Sequence, residues 1–278
     1  MNAIKDAFQK AKAKGNGALI GYIMAGDPTL ELTPKIADAL IKGGVDVLEL
    51  GLPFSDPIAD GPTIQAAGIR ALAAGTTPSK VLDIAKEIRQ SHDVPIVIMT
   101  YYNPVFRMGL DKFFSLAKKS MVDGMIVPDL PVEEAADYVK AAKKCCIDTI
   151  FLAAPSTSNE RVGKIVEYSS GFLYLVSHFG VTGAQSAIED STIQLVKRVL
   201  PFTSSKIPLA VGFGVSKPEH VKRIIDAGAE GVIVGSAFIN LIQKHKNNLE
   251  AMLKKLESTA SELKKATKNN NNNFEQKK

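Results

Sequence analysis

The amino-acid sequence predicts an α/β fold: a single-domain (β/α)8 TIM barrel with an N-terminal helix and extra helices. Short apolar runs alternate with segments of helical periodicity along the chain, and eight such runs fit within its 278 residues. Several runs are apolar on both faces, as in strands that are covered by helices on one side and fill a core on the other. A doubly wound open sheet is the alternative, but the first βα turn, Ala25-Gly26-Asp27-Pro28, lacks the glycine pattern of a dinucleotide site.

Each element of this barrel has its own signal in the sequence. Near the N-terminus, Ile4, Phe8 and Ala11 recur at helical spacing, which favours a packed helix over a targeting presequence. A further helix is expected to start near Pro62 or Thr63. The predicted strands are residues 19–24, 45–50, 95–100, 124–127, 149–153, 172–176, 209–212 and 231–234. The other predicted helices are residues 33–42, 78–90, 110–119, 131–144, 159–168, 192–200 and 218–227.

Composition excludes several classes of protein. The net charge of +5 is concentrated near the C-terminus, with no basic patch interleaved with aromatic residues, so a nucleic-acid partner is not expected. The apolar runs are too short to cross a bilayer. We expect a barrel domain over residues 1–268 and a low-complexity, disordered tail over residues 269–278.

The cysteine content points to a reducing compartment. Cys145 and Cys146 are adjacent, so they neither chelate a metal together nor form a disulfide framework, and no metal site is predicted. The first residues lack the apolar core of a secretory signal. We therefore expect a cytoplasmic protein, with a plastid or another organelle as the alternative.

Glu49 is the most unusual charged residue in the sequence. It lies between Leu48 and Leu50 within an apolar strand, and neighbouring side chains of a strand point to opposite faces. If the two leucines pack under the helices, Glu49 points into the barrel, where desolvation raises the pKa of a carboxyl group and suits it to acid/base catalysis. A structural glutamate paired with an unseen partner is the alternative.

The long connections after strands two and six lie at the end of the barrel that carries catalytic residues in such folds. The first runs from Gly51 to about Gly61 and ends with Asp60, which is either a second working carboxylate or a helix N-cap. The second runs from Ser177 to about Ser191 and is expected to close over a substrate.

Glycines follow the last two strands and predict a phosphate site. In many barrels a phosphate binds between these loops, where glycine lets backbone N–H groups approach the anion and a helix N-terminus attracts it. Plain turn glycines are the alternative. The predicted phosphate-binding residues are Gly183, Gly212, Phe213, Gly214, Gly235 and Ser236.

Taken together, these motifs resemble the tryptophan synthase alpha chain family over nearly the whole chain, roughly residues 21–241. The most specific segment is residues 48–63, which contains the Glu49-Leu50-Gly51 and Pro53-Phe54-Ser55-Asp56-Pro57 motifs and Ala59-Asp60-Gly61-Pro62. Further matches are Ala25-Gly26-Asp27-Pro28, Tyr102-Asn103-Pro104, Pro128-Asp129-Leu130-Pro131, Gly180-Val181-Thr182-Gly183, Gly212-Phe213-Gly214 and Gly235-Ser236.

The resemblance implies a lyase that cleaves indole-3-glycerol phosphate to indole and D-glyceraldehyde 3-phosphate, with no cofactor in this chain. It implies that Glu49 is the acid/base and that Asp60 binds the indole N–H. Thr182 matches the threonine that orients Asp60. The other substrate-binding residues that it implies are Tyr22, Leu152 and Tyr174, with Phe213 in the indole pocket as well.

The resemblance also implies a partner, a pyridoxal-phosphate beta chain in an α2β2 complex. The matching contact residues are Pro53, Asp56, Asn103 and Pro104. Three alternatives stay open: a stand-alone lyase that releases indole, a catalytically weak activator of the beta chain, and another phosphate-binding barrel. His178 stands where the family usually has arginine, so a permanent charge becomes a titrating one in the loop that should close.

Overall fold

Nine parallel strands, arranged in one sheet, confirm the predicted barrel. The computed structural model describes residues 2–176, 185–204, 206–212 and 214–269, without the side chains of residues 185–190. The strands are β1 (Ala18–Met24), β2 (Val47–Gly51), β3 (Ile96–Met99), β4 (Gly124–Ile126), β5 (Asp148–Ile150), β6 (Leu152–Ala153), β7 (Leu173–Val176), β8 (Leu209–Gly212) and β9 (Gly231–Val234).

The sheet closes because β5 and β6 are two halves of one predicted strand. The order of neighbours is β5-β4-β3-β2-β1-β9-β8-β7-β6, and the two ends of this order are separated in sequence only by Phe151. The first half pairs with β4, as Ile126 opposite Ile150, and the second half pairs with β7, as Leu152 opposite Tyr174. The predicted eight-stranded barrel is therefore present, with its fifth strand interrupted.

Helices cover the outside of the barrel. They are α1 (Ala3–Ala13), α2 (Thr33–Lys42), α3 (Pro62–Ala73), α4 (Pro78–Ser91), α5 (Tyr102–Met108), α6 (Leu110–Lys119), α7 (Ala136–Lys144), α8 (Asn159–Tyr168), α9 (Gln185–Thr203), α10 (Pro218–Asp226), α11 (Ser236–His245) and α12 (Leu249–Ala266). Among the described residues, no helix is long and apolar enough to cross a membrane.

Three helical segments differ from the prediction. The predicted helix 131–144 is a 3-10 turn, Val132–Glu134, followed by α7. The predicted helix 192–200 begins earlier, so the second half of the predicted mobile loop belongs to α9. Helix α5 is absent from the predicted helices. Its first N–H, at Tyr102, donates to the Asp129 carboxylate at 2.8 Å, and a bond across 27 residues cannot be read from local sequence.

Side-chain alternation on β2 separates two apolar layers. Leu48 and Leu50 are buried in the large cluster between the sheet and the helices, whereas Val47 belongs to the cluster inside the barrel. Since Glu49 alternates with the two leucines, it points inward, as predicted. Helix α1 packs against the lower end of the inner cluster, with the rings of Phe8 and Phe172 5.7 Å apart.

Polar side chains tie the strands together at the N-terminal end of the barrel. The Leu19 N–H donates to Asp46 at 2.7 Å and the Ile96 N–H donates to Asp123 at 2.9 Å, so a carboxylate at the start of one strand binds the strand before it. Lys264 of α12 also donates to Asp46, at 2.5 Å. These contacts stabilise the N-terminal end of the barrel. A functional site is therefore expected at the C-terminal end.

Candidate active site

A cavity opens at the C-terminal end of the barrel strands. It brings together side chains that lie far apart in the sequence, from β1, β2, β7 and the loops after β2, β8 and β9. Seven of the predicted site residues line it: Tyr22, Glu49, Asp60, Tyr174, Gly214, Gly235 and Ser236. The other lining residues are Gly61, Ile64, Met99, Val215 and Ile233.

Glu49 is the deepest ionisable group in this cavity. The residue is 1% exposed, and the described residues offer its Oε2 atom no hydrogen-bond partner. Burial, with a smaller contribution from the negative charge of Asp60, raises the pKa of Glu49 from 4.5 to about 8. The carboxyl group is therefore protonated at neutral pH, with one oxygen available to a ligand in the cavity.

Asp60 lies at the end of the β2–α3 loop, just before α3. Burial raises its pKa from 3.8 to about 6, although a hydrogen bond from the Tyr101 hydroxyl acts in the opposite direction. Gly61, not Asp60, is the N-cap residue of α3, so the alternative interpretation of Asp60 as a helix N-cap is wrong. Between about pH 6 and pH 8 the cavity thus holds one ionised carboxylate and one protonated carboxyl group, and this is the arrangement that divides acid and base tasks.

Two tyrosines form facing walls of the cavity. Tyr22 is 5% exposed and Tyr174 is 7% exposed, and burial raises the pKa of both hydroxyl groups. Their rings pack directly on glycines. A Cβ atom at Gly212 would lie 2.6 Å from the Tyr174 hydroxyl oxygen, and one at Gly235 would lie 3.2 Å from Cδ1 of Tyr22. These glycines are therefore needed for the shape of the cavity, apart from any contact with an anion.

The end of the cavity near β8 and β9 has the features of an anion site. Gly214 has a φ of 74°, a conformation that favours glycine. Gly235 is the N-cap residue of α11, and the helix begins at Ser236. Since unpaired N–H groups and the helix dipole favour negative charge at a helix N-terminus, this part of the cavity attracts an anion.

The remaining predicted residues are placed differently. Gly212 lies beside the cavity wall, behind Tyr174. Leu152 lines a neighbouring cavity at the same end of the barrel. Thr182, Gly183 and Phe213, with His178 of the predicted closing loop, lie outside the described residues.

The predicted partner surface lies next to Asp60. Asp56 and Asn103 are exposed and Pro104 is partly exposed, but Pro53 is buried. The sequence reading missed two large apolar side chains on this part of the molecule, Ile58 at 83% exposure and Phe106 at 68%. Ile58 follows other apolar residues in its loop, and Phe106 lies in a segment that was not predicted to be a helix, so neither stood out in the sequence.

Tyr101, at the end of β3, was also missed as a site residue. It is 3% exposed, and its hydroxyl accepts the Ala59 N–H of the loop that carries Asp60. The available signal was a tyrosine directly after a strand on the catalytic face of a barrel, and it was not distinguishable from ordinary packing.

Known proteins match this chain over nearly its whole length. The family model described as "Tryptophan synthase alpha chain" matches residues 8–268. A tryptophan synthase alpha chain from Methanoregula boonei is 48% identical over 266 residues, which are 96% of this chain and 98% of the relative. The structure of the alpha subunit from Legionella pneumophila superposes with a TM-score of 0.85 at 36% identity, covering 97% of this chain and 99% of that one.

A second solved structure extends the comparison to an assembly. It is a chain of the tryptophan synthase α2β2 complex from Pyrococcus furiosus, with a TM-score of 0.83 and 43% identity, and the match covers 90% of this chain and 98% of that chain. The family model spans most of the sequence, and the relatives match over nearly their full length. The chain therefore belongs to the tryptophan synthase alpha chain family.

Proposed function

We propose that this chain cleaves indole-3-glycerol phosphate to indole and D-glyceraldehyde 3-phosphate, with Glu49 as the acid/base and Asp60 as the carboxylate that binds the indole N–H. The reaction class follows from the family, which consists of carbon–carbon lyases. The observation that supports these residue roles is the contrast between a carboxyl group with a pKa of about 8 and a carboxylate with a pKa of about 6 in one cavity. At neutral pH the first holds a proton and the second holds a charge.

The proton movements can be followed from these two groups. Glu49 gives its proton to C3 of the indole ring, which places positive charge on the ring nitrogen, and the Asp60 carboxylate stabilises that charge through the N–H group. The Glu49 carboxylate then takes the proton of the neighbouring hydroxyl group. The bond between C3 and the glycerol carbon breaks, its electrons return to the ring, and an aldehyde forms. Glu49 ends protonated, so the cycle needs no cofactor in this chain.

The rest of the cavity suits the two ends of this substrate. Tyr22 and Tyr174 flank Glu49 and provide flat apolar surfaces for an indole ring. Gly214, Gly235 and Ser236 provide backbone N–H groups for the phosphate. Binding energy from the phosphate would hold C3 against Glu49. The remote contact would therefore orient the reacting carbon.

We propose the tryptophan synthase beta chain as the partner, in an α2β2 complex like that of the Pyrococcus furiosus protein. The surface beside Asp60 supports this because it presents the apolar side chains of Ile58 and Phe106 next to the charged Asp56. Pyridoxal phosphate would belong to the beta chain alone. The free thiols of Cys145 and Cys146 suit a reducing compartment, and we propose the cytoplasm.

The test is an assay of indole release from indole-3-glycerol phosphate, with the chain alone and with a beta chain. We expect slow release by the chain alone and faster release in the complex. Equal rates in both cases would favour a stand-alone lyase. Absence of indole with and without the beta chain would overturn the lyase assignment. Release that depends on the beta chain but not on the Glu49 carboxyl would overturn the residue roles.

A further inference from the structure

Tyr101 contacts the loop that carries Asp60 near both of its ends. Its ring stacks on that of Phe54, with centroids 5.4 Å apart and an interplanar angle of 28°. Its hydroxyl oxygen accepts the Ala59 N–H at 2.9 Å, next to Asp60 in the chain. The same hydroxyl lowers the pKa of Asp60 by hydrogen bonding to its side chain. One buried side chain, two residues after the end of β3, therefore contacts the loop at Phe54 and beside its carboxylate.

The other groups around Asp60 do not replace this contact. Glu49, Tyr22 and Tyr174 face Asp60 from the other side of the cavity, and each interacts with it through charge. From α3, Gln65 donates to the backbone oxygen of Asp60 at 2.9 Å and not to the carboxylate.

On the strand side, Asp129 also interacts with Tyr101 through charge, and its carboxylate accepts the Tyr102 N–H at 2.8 Å. Among the described residues, the hydrogen bond that stabilises the ionised form of the Asp60 side chain is the one from Tyr101.

We propose that Tyr101 is a positioning residue, which holds the Asp60 carboxylate ionised and directed into the substrate cavity. The effect on turnover rests on the proposed function, whereas the contact with Asp60 does not. A hydrogen bond to a charged group is stronger than one between neutral groups, and its loss would leave the packing of the ring in place. The two contributions can therefore be separated by removing only the oxygen.

Tyr101→Phe makes this separation, and Tyr138→Phe is the matched control. The Tyr138 ring is also buried and packs edge-on against Phe114 at 5.3 Å, but the described residues offer its hydroxyl no hydrogen-bond partner. Both variants remove one buried oxygen from a packed ring, and only one of these oxygens touches the Asp60 loop.

The first measurement is the Asp60 pKa itself, followed by carbon-13 NMR of the aspartate carboxyl groups in the ligand-free protein. Because the hydroxyl favours the ionised carboxylate, Tyr101→Phe should move the Asp60 pKa upward by about 1, and Tyr138→Phe should leave it in place. An unchanged Asp60 pKa in Tyr101→Phe, or an equal change in the control, would overturn the proposal.

The second measurement is the pH profile of kcat/KM for indole release. In Tyr101→Phe the acid limb should move upward with the Asp60 pKa, so activity falls about 10-fold at pH 5.5 and much less at pH 8. A loss of equal size at every pH would indicate a packing role only. In an Asp60→Asn background the same substitution should change the rate little, because its target is gone. If the wild type releases no indole, the proposed function fails while the NMR result still decides the role of Tyr101.

Discussion

Replacing Glu49 by glutamine should remove activity and, at alkaline pH, make the protein more stable. The substitution keeps the volume of the side chain and removes only its ability to ionise and to transfer a proton. General acid/base catalysis contributes about 10²–10⁴-fold to a rate, so indole release should fall by at least about 100-fold. The gain in stability follows from the unusual pKa of this carboxyl group.

The size of the gain can be derived from that pKa. Glu49 ionises near 4.5 in an unfolded chain and near 8 in the folded protein, because folding buries it beside Asp60. The folded state therefore holds the proton more tightly, and its stability falls as the pH rises from 4.5 to about 8. At about 1.4 kcal/mol for each pH unit, the cost is about 3 kcal/mol at pH 7 and about 5 kcal/mol above pH 8.

The assay is urea unfolding of the wild type and Glu49→Gln at pH 5, 7 and 9, with indole release measured on the same samples. Glutamine is neutral at all three pH values. The unfolding free energy of the variant should therefore exceed that of the wild type by little at pH 5 and by about 5 kcal/mol at pH 9. A difference in unfolding free energy that does not change with pH would refute the buried, neutral carboxyl. Unchanged turnover would refute its role in catalysis.

Three further substitutions test other parts of the structure. Asp60→Asn should reduce kcat by about 10²–10³-fold and abolish the acid limb of the pH profile near 6. Loss of the Asp60 charge should also move the limb that belongs to Glu49 below about 8. An acid limb that persists would contradict the assignment. Gly212→Ala places a Cβ atom 2.6 Å from the Tyr174 hydroxyl and should impair indole release, with partial recovery when Tyr174→Leu removes the ring; full activity of the single variant would show that the ring has room to move. Asp46→Ala removes the acceptor of the Leu19 N–H and of the Lys264 ammonium group. It should lower the free energy of unfolding, measured in urea, by about 3 kcal/mol and leave kcat unchanged. A loss below about 0.5 kcal/mol would show that water replaces the carboxylate as acceptor.

The sequence predicted the inward direction of Glu49 because strand alternation is a local property. Leu48 and Leu50 had to share one face, and the apolar helices around them made that face the outer one. The same reasoning could not assign Asp60, since a loop has no such periodicity. The resemblance to the family assigned its role, and the cavity then showed that the two carboxyl groups lie together.

Contacts between elements distant in the sequence were beyond sequence reasoning. Helix α5 was missed because its first N–H is bound by Asp129 from the next strand. The exposed Phe106 was missed with it, since exposure depends on which way a helix faces after packing.

The amino-acid sequence by itself determined the eight βα units, the inward face of β2 and the glycines at the ends of the last strands, because hydrophobic period and turn chemistry act over a few residues. Only the tertiary structure decided the protonation of the two carboxyl groups and the contacts that hold them in place. The pKa values of Glu49 and Asp60 depend on burial and on each other. The hydrogen bond from the Ala59 N–H to the Tyr101 hydroxyl spans 42 residues of sequence. Desolvation and charge act through space, so they exist only once the barrel has closed.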